Sequence, residues 1–273
     1  MKADEKLEKL SELIKSYAKV MVAFSGGVDS TFLLAFCANA IGKDNVIAAT
    51  ASSETYTPDE LLFARVTAWY LGVKHVIIET NELEDECFSA NTDQRCYYCK
   101  NHFYISLVDV ARAEEVNAVL DGNNSDDVGD YRPGRKAAAE HGVLSPLMLA
   151  GLTKDDIRRH SKAMGLRSWD KPANPCLASR VPYGSRITRE KLETIAQAEK
   201  FIRQLGFRTI RVRHHDDIAR IEIPTQDMPR FMENATREKA NRYMKSLGFT
   251  WVAVDIGGYR TGSLNEAFRA GTD

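Results

Sequence analysis

The segment Ser25-Gly26-Gly27-Val28-Asp29-Ser30 has residue types and spacing suited to holding a phosphate. Adjacent glycines let the backbone approach an anion closely and take conformations closed to other residues. Amides there, and at the start of a following helix, would point at phosphate oxygens, aided by the helix dipole. Ser25 and Ser30 add hydroxyl donors, and Asp29 could orient a magnesium ion. The bland alternative is a Gly-Gly turn with serine caps, and the strand-loop-helix context weighs against it. The loop lacks the Gly-Lys-Ser/Thr of a Walker A site, so ordinary γ-phosphate hydrolysis is not implied.

Sulfur chemistry is the second theme. The chain has five cysteines, an odd number, and no export signal is expected at its start. That argues against a disulfide framework and for metal binding, redox work or a reactive thiol in a reducing cytosol. Cys96-Tyr97-Tyr98-Cys99 has three readings: a thioredoxin-like pair, half of a zinc site, or part of an iron–sulfur site. Structural zinc wants four ligands, and no second CxxC or suitably placed His pair is visible. Adding the distant Cys176 gives three thiolates, which suit a cubane cluster with one iron left open. Arg180 could place positive charge near a Cys176 thiolate. Cys37, in Leu-Leu-Ala-Phe-Cys, reads as a core residue. The Cys87 thiolate is disfavoured by Glu84, Asp85 and Glu86. Tyr97 and Tyr98 read as packing residues or as rings beside the cysteine site.

These residues need elements to position them. Leu7, Leu10, Leu13, Ile14 and Tyr17 form a helical stripe, and 19–24 is an apolar strand running into the glycine loop. A helix over 29–40 stops at Gly42, and 46–51 is a second strand. Thr57-Pro58-Asp59-Glu60 opens a helix as a capping box with proline in its first turn. That helix runs to Gly72; 75–79 is a third strand, 100–116 a helix and 118–121 a fourth strand. Strands separated by helices predict a doubly wound parallel α/β sheet, with its crevice at the carboxyl ends of the strands. Composition changes at 168–186, where Trp169, Pro172, Pro175, Pro182 and Gly184 crowd into a linker and functional loop. Beyond it come a helix over 188–205, strands at 209–213 and 218–223, a helix to 247 and a strand at 251–256. Leu205-Gly206-Phe207 and Leu247-Gly248-Phe249 echo each other weakly, as two αβ units of a smaller α+β domain would. The expected division is 1–180 and 181–273.

The length of 273 residues allows two cores, and 44% hydrophobic with 27% charged is ordinary for a globular protein. No apolar run approaches a membrane span. The 37 basic and 38 acidic residues give a net charge of −1, against a chain whose main business is coating nucleic acid. A cytoplasmic two-domain enzyme is the expectation.

The loop SGGVDS resembles the PP-loop of the N-type ATP pyrophosphatases, which cleave ATP between the α- and β-phosphates and adenylate a substrate oxygen. That resemblance implies a HUP-like, adenine nucleotide alpha hydrolase-like domain. It implies that Ser25, Gly26, Gly27, Asp29 and Ser30 cradle the pyrophosphate end of ATP, with Mg2+. It further implies Ser52 near the adenosine, Asp121-Gly122 closing the nucleotide site, and Lys100 as a phosphate contact. Asp130-Tyr-Arg-Pro-Gly134, Pro175-Cys-Leu-Ala-Ser-Arg180 and Pro182-Tyr-Gly184 are similar to the LarE family of ATP-dependent sulfur transferases. Glu199, Arg211-Val-Arg213, Asp217-Ile-Ala-Arg-Ile-Glu222 and Gly257-Gly-Tyr-Arg260 extend the likeness over nearly the whole chain.

What the likeness implies is biosynthesis of the nickel-pincer nucleotide cofactor: a carboxylate of pyridinium-3,5-biscarboxylic acid mononucleotide is adenylated and becomes a thiocarboxylate. In one LarE type the cysteine at position 176 gives up its own sulfur. In the cluster-bearing type, Cys96, Cys99 and Cys176 would bind a [4Fe–4S] cluster whose open iron holds a hydrosulfide. The family match also turns Arg211 and Arg213, otherwise a solvated strand face, into a candidate anion site. His214 and His215 are minor candidates beside them. Arg260 becomes a second anion candidate, and Glu199 a substrate contact in place of a solvated helix residue. Arg132 and Arg135 would flank a loop over the ATP site. The expected partners are a small nucleotide substrate and other copies of the chain, such as in a hexamer. A cluster-dependent tRNA thiolase and a non-enzymatic ATP sensor are the rivals. Near-neutral charge weighs against the first, and the unexplained cysteines against the second.

Overall fold

The structure is a computed structural model that describes residues 3–129, 133–172, 175–260 and 263–265. It divides into two compact units. The first comprises residues 1–88 and 93–174, and the second 89–92 and 175–273. Pro175 to Arg180 thus group with the second unit, ahead of a division at 180/181.

In the first unit the chain runs α1 (Ala3–Tyr17), β1 (Val20–Ala23), α2 (Val28–Ile41), β2 (Val46–Ser52), α3 (Pro58–Leu71) and β3 (Lys74–Glu79). It continues through α4 (Arg95–Ala113), β4 (Ala118–Leu120), α5 (Pro133–Glu140) and α6 (Lys154–Ala163). The four strands are parallel in the order β3-β2-β1-β4. Both faces of the sheet are covered, so its strands read as continuous apolar runs. Val20, Val22 and Ala48 face the α1, α2 and α6 side with Leu10, Ile14, Leu33 and Ile157. Met21, Ile47, Ala49 and Ala51 face the α4 and α5 side with Phe103, Leu107 and Ala137. The α/β class expected from the sequence is therefore what the chain builds.

Thr57 caps α3 as anticipated: its side chain accepts from the Glu60 amide, and Glu60 accepts from the Thr57 amide. Several boundaries differ from the sequence reading, two helix starts most of all. Helix α1 begins at Ala3, and α4 begins at Arg95 in place of 100, which puts both Cys96 and Cys99 on its first turns.

The second unit has α7 (Arg189–Gln204), β5 (Arg211–His215), β6 (Ile218–Glu222), α8 (Asn234–Ser246) and β7 (Trp251–Val254). Strand β6 pairs antiparallel with β5 and parallel with β7. Its core is Ile202, Phe207, Val212, Ile221, Phe231, Met244 and Phe249. Both helices end at the expected glycines, Gly206 and Gly248, whose φ angles of 92° and 100° suit glycine.

Candidate functional site

In the first unit, the sheet order reverses direction between β1 and β4, the point at which open α/β sheets bind ligands. The loop after β1 and the loop after β4 meet there. A Cβ on Gly122 would lie 3.0 Å from the Ser30 amide nitrogen, so only glycine lets the two loops approach. Gly26 takes φ +68°, and a Cβ there would press on Phe63 at 3.2 Å. Within the loop the Ser25 and Ser30 hydroxyls lie 3.2 Å apart, and the Gly27 amide donates to Ser25 Oγ over 3.3 Å. Helix α2 starts immediately afterwards, without a side-chain cap on its free amides. The arrangement is an anion cradle at a helix N-terminus.

Asp29 sits on the first turn of α2 and its Oδ2 accepts from Lys154 Nζ over 2.5 Å. Its other oxygen, Oδ1, is buried without a hydrogen-bond partner. Burial raises the Asp29 pKa, Lys154 opposes the rise, and Asp127 adds to it. An orphaned carboxylate oxygen beside a phosphate cradle fits a hard divalent cation such as Mg2+, which takes oxygen ligands.

Asp121, almost fully buried at the end of β4, gathers the neighbouring loop. Its Oδ1 accepts from Ser145 Oγ at 2.6 Å and the Asn123 amide at 3.1 Å, and its Oδ2 from Asn123 Nδ2 at 2.5 Å. Tyr104 completes the set at 3.5 Å and in turn accepts from Lys100 Nζ at 3.3 Å. Tyr104 and Asp121 both hold Lys100 protonated by raising its pKa against burial. Arg135 donates to the Asp127 carbonyl over 3.0 Å, and Arg132 lies outside the described residues. Ser52 ends β2, where its carbonyl accepts from the Thr80 amide. Two lysines absent from the sequence reading also reach this place: Lys154, paired with Asp29, and Lys171, whose Nζ donates to the Gly26 carbonyl over 3.0 Å. No local pattern marks either one, because each arrives from far along the chain.

Cys96 is exposed and Cys99 half-buried, three residues apart on one face of α4. The Cys99 thiol lies 3.7 Å from Glu82 Oε1, a buried carboxylate. Among the described residues, no group of three or more His, Cys, Asp or Glu is gathered for a metal ion.

In the second unit Cys176 is half-buried and precedes a short helical turn, Leu177–Arg180. Arg180 has no exposed surface. It forks onto Glu199 at 2.8 and 3.0 Å, and its Nη1 donates to the carbonyls of Pro175 and Cys176 and to Ser179 Oγ. Glu199 also accepts from Arg203 at 2.7 Å and from the Val212 amide at 3.1 Å. Burial alone would raise the Glu199 pKa; Arg180, Arg203 and Arg211 outweigh it, so the carboxyl is held below its usual range. Arg213 forks onto Glu222 at 2.9 and 2.8 Å and reaches the Ser179 carbonyl at 2.6 Å. Arg211 stacks on Tyr259, and burial together with Arg180 pushes its pKa down to about 10. Arg260 donates to the Gly258 carbonyl.

The asparagine synthase family model matches residues 7–245. An uncharacterized protein of Synechocystis is 39% identical over 96% of this chain and 97% of its own length. The pyridinium-3,5-bisthiocarboxylic acid mononucleotide synthase of Lactiplantibacillus plantarum is 41% identical over 93% of this chain and 91% of that enzyme. The chain belongs to the LarE family. An uncharacterized protein of Methanocaldococcus jannaschii is more distant, 27% identical over 94% of the chain.

In this LarE-family sulfur transferase the phosphate-loop residues lie together, and three places in the second unit are more buried than the sequence indicates. Arg180 is paired with the buried Glu199 and also holds the backbone on which Cys176 sits. Glu199 is not on a solvated helix face, since its side chain is 1% exposed. Arg211 and Arg213, expected as an anion site, are buried: Arg213 reaches the Ser179 carbonyl and forks onto Glu222. Burial decides all three, and sequence alternation alone does not report it.

Proposed function

We propose that this LarE-family enzyme activates a carboxylate of pyridinium-3,5-biscarboxylic acid mononucleotide with ATP and converts it to a thiocarboxylate. The reading rests on membership of the family together with the phosphate cradle at residues 25–30, built at the switch point of the sheet. The substrate carboxylate attacks the α-phosphorus of ATP, the bond to the β-phosphate oxygen breaks, and pyrophosphate leaves. The amides at Gly26 and Gly27, the α2 N-terminus and Asp29 with its Mg2+ would meet the charge that accumulates on the phosphates. Sulfur then attacks the acyl carbon, and AMP departs with the oxygen. Arg211, Arg213 and Arg260 remain candidate contacts for the substrate phosphate.

Cys176 is the sulfur site in this proposal. Its carbonyl and those of Pro175 and Ser179 are fixed by buried guanidinium groups, so the backbone presenting the thiol is rigid. We assign Cys96, Cys99 and Cys176 as the thiolates for a [4Fe–4S] cluster. The pair on α4 supports this as two soft donors one turn apart. Such a cluster would carry an external sulfide on its open iron and spare the protein's own sulfur. The other route is sacrificial: Cys176 forms a thioester as AMP leaves. Loss of its α-proton then breaks the Cβ–S bond, leaving dehydroalanine and the thiocarboxylate. The proposal includes a cytoplasmic setting, which keeps the thiols reduced, and a homo-oligomer.

Anaerobic purification with iron and sulfide analysis, followed by mass spectrometry of Cys176 after turnover, separates the routes. About four irons per chain with Cys176 intact is the expected result. Absence of iron with Cys176 converted to dehydroalanine would replace the cluster route by the sacrificial one. Cys176→Ala should abolish sulfur transfer on both routes and leave ATP binding within about two-fold. Retained transfer would remove Cys176 from the mechanism.

A further inference from the structure

Three lysines come close to the phosphate-loop region, and their surroundings differ. Lys154 is neutralised by Asp29 at 2.5 Å. Lys100 lies against Tyr104 and within the field of Asp121. Lys171 makes no ion pair among the described residues, although Glu60 lends it a favourable field. Its ammonium donates to the Gly26 carbonyl over 3.0 Å and lies 4.0 Å above the centre of the Phe63 ring. The Glu60 charge opposes the effect of burial on it without forming an ion pair.

Its position is fixed from behind. Arg158 donates to the carbonyls of Trp169 and Lys171 over 3.0 and 3.1 Å, and the Lys171 amide closes a turn onto the Ser168 carbonyl. The ring under the ammonium is the one that crowds Gly26. A half-buried ammonium held by a neutral carbonyl and a ring face has lost hydration without gaining a counter-charge. Burial accordingly lowers the Lys171 pKa. The next amides along the chain from that carbonyl belong to the anion cradle, so a bound polyphosphate would supply the missing charge.

We infer that Lys171 is a phosphate-binding residue, whose ammonium contacts the polyphosphate of ATP at the loop and stabilises pyrophosphate as it leaves. The inference rests on the phosphate-loop reading and extends it to a residue far along the chain. Charge on the pyrophosphate rises as its bond to the α-phosphorus breaks, so a cation there acts on the step as well as on binding.

The test is calorimetric binding of inorganic pyrophosphate and of ATP to the full chain, comparing wild type, Lys171→Met, Lys171→Arg and Ser30→Ala. Lys171→Met should weaken pyrophosphate about 10- to 100-fold and flatten the salt dependence of binding. Lys171→Arg, which keeps the charge, should recover most of that loss. Pyrophosphate affinity of Lys171→Met within two-fold of wild type, with Ser30→Ala weakened, would overturn the inference and leave the phosphate-loop reading standing. Failure of the wild-type chain to bind either ligand would overturn that reading itself. A second measurement needs no variant: acylation of Lys171 in the wild-type protein, followed by peptide mass spectrometry. Pyrophosphate should protect Lys171 from the reagent while exposed lysines such as Lys74 react as before. Unchanged labelling of Lys171 at saturating pyrophosphate counts against the contact.

Discussion

Substituting Glu199 leaves Arg180 as a buried guanidinium without its counter-charge, because Arg180 has no exposed surface and Glu199 supplies both of its paired oxygens. Breaking a buried pair from one side costs about 3–5 kcal/mol, more than the intact pair contributes over an apolar replacement. Glu199→Gln keeps the shape and one acceptor, so a loss near 3 kcal/mol in urea unfolding is the expected outcome. The native Glu199 pKa lies below its unfolded value of about 4.3, so its contribution is fully present above that pH. It fades as pH falls through the native pKa, and the stability gap between wild type and Glu199→Gln should close in acid. A gap independent of pH would show that the charge is not what matters. At this scale the strand, Gly26-Gly27 loop and helix were legible in the sequence, since they are contiguous. Lys154 and Lys171 were not, because only the fold brings them to Asp29 and Gly26. The burial of Arg180 against Glu199 was not legible, since four residues of separation from Cys176 says nothing about burial.

Elements carry a different kind of information. The capping box at Thr57 and the glycine stops at Gly206 and Gly248 announced helix ends directly. The start of α4 did not, because Gln94 makes no side-chain cap and Arg95 has no periodic signal before it. That hid the placement of Cys96 and Cys99 on a helix. Helices α1 and α6 are joined by Lys6 and Asp156 at 2.6 Å, and Asp156 also closes the cap at Thr153. The hydrogen bond from Lys6, working against burial and with Thr153, holds the Asp156 pKa at about 2. The native value lies below the unfolded one, so the contribution is present above about pH 4 and is lost between there and pH 2. After allowance for solvent screening, Asp156→Asn should cost about 1 kcal/mol at neutral pH. Thermal melts at pH 7 and pH 2.5 check this, with the difference between the proteins shrinking at the lower pH.

At the scale of the whole molecule, the unit boundary is not a single point in the sequence. Composition pointed to two domains, and the change of pattern after residue 168 was legible. The excursion of residues 89–92 into the second unit was not, because nothing in Ser89-Ala90-Asn91-Thr92 differs from a loop. Asn91 is the anchor. It is fully buried, with φ 57°, and its Nδ2 donates to the carbonyls of Val181, Pro182 and Ser185. Asn91→Ala should cost about 2–3 kcal/mol, from three lost hydrogen bonds and a left-handed backbone that alanine resists. Asn91→Gly, which tolerates that backbone, should lose less. Hydrogen exchange at the Gly184 and Ile187 amides, which donate to Asn91 and Ser89, reports the loosening, and equal protection in all three proteins would refute it.

The strap also constrains how relatives of this chain could be recombined. A gene fusion that joins one family member's first 174 residues to another's remainder would carry the donor's Asn91 tetrapeptide into the acceptor's turn at 181–187. A working chimera would have to exchange two separated stretches at once. Single-crossover libraries should therefore lose function at that junction even between close homologues, and recover it when residues 89–92 travel with the C-terminal piece.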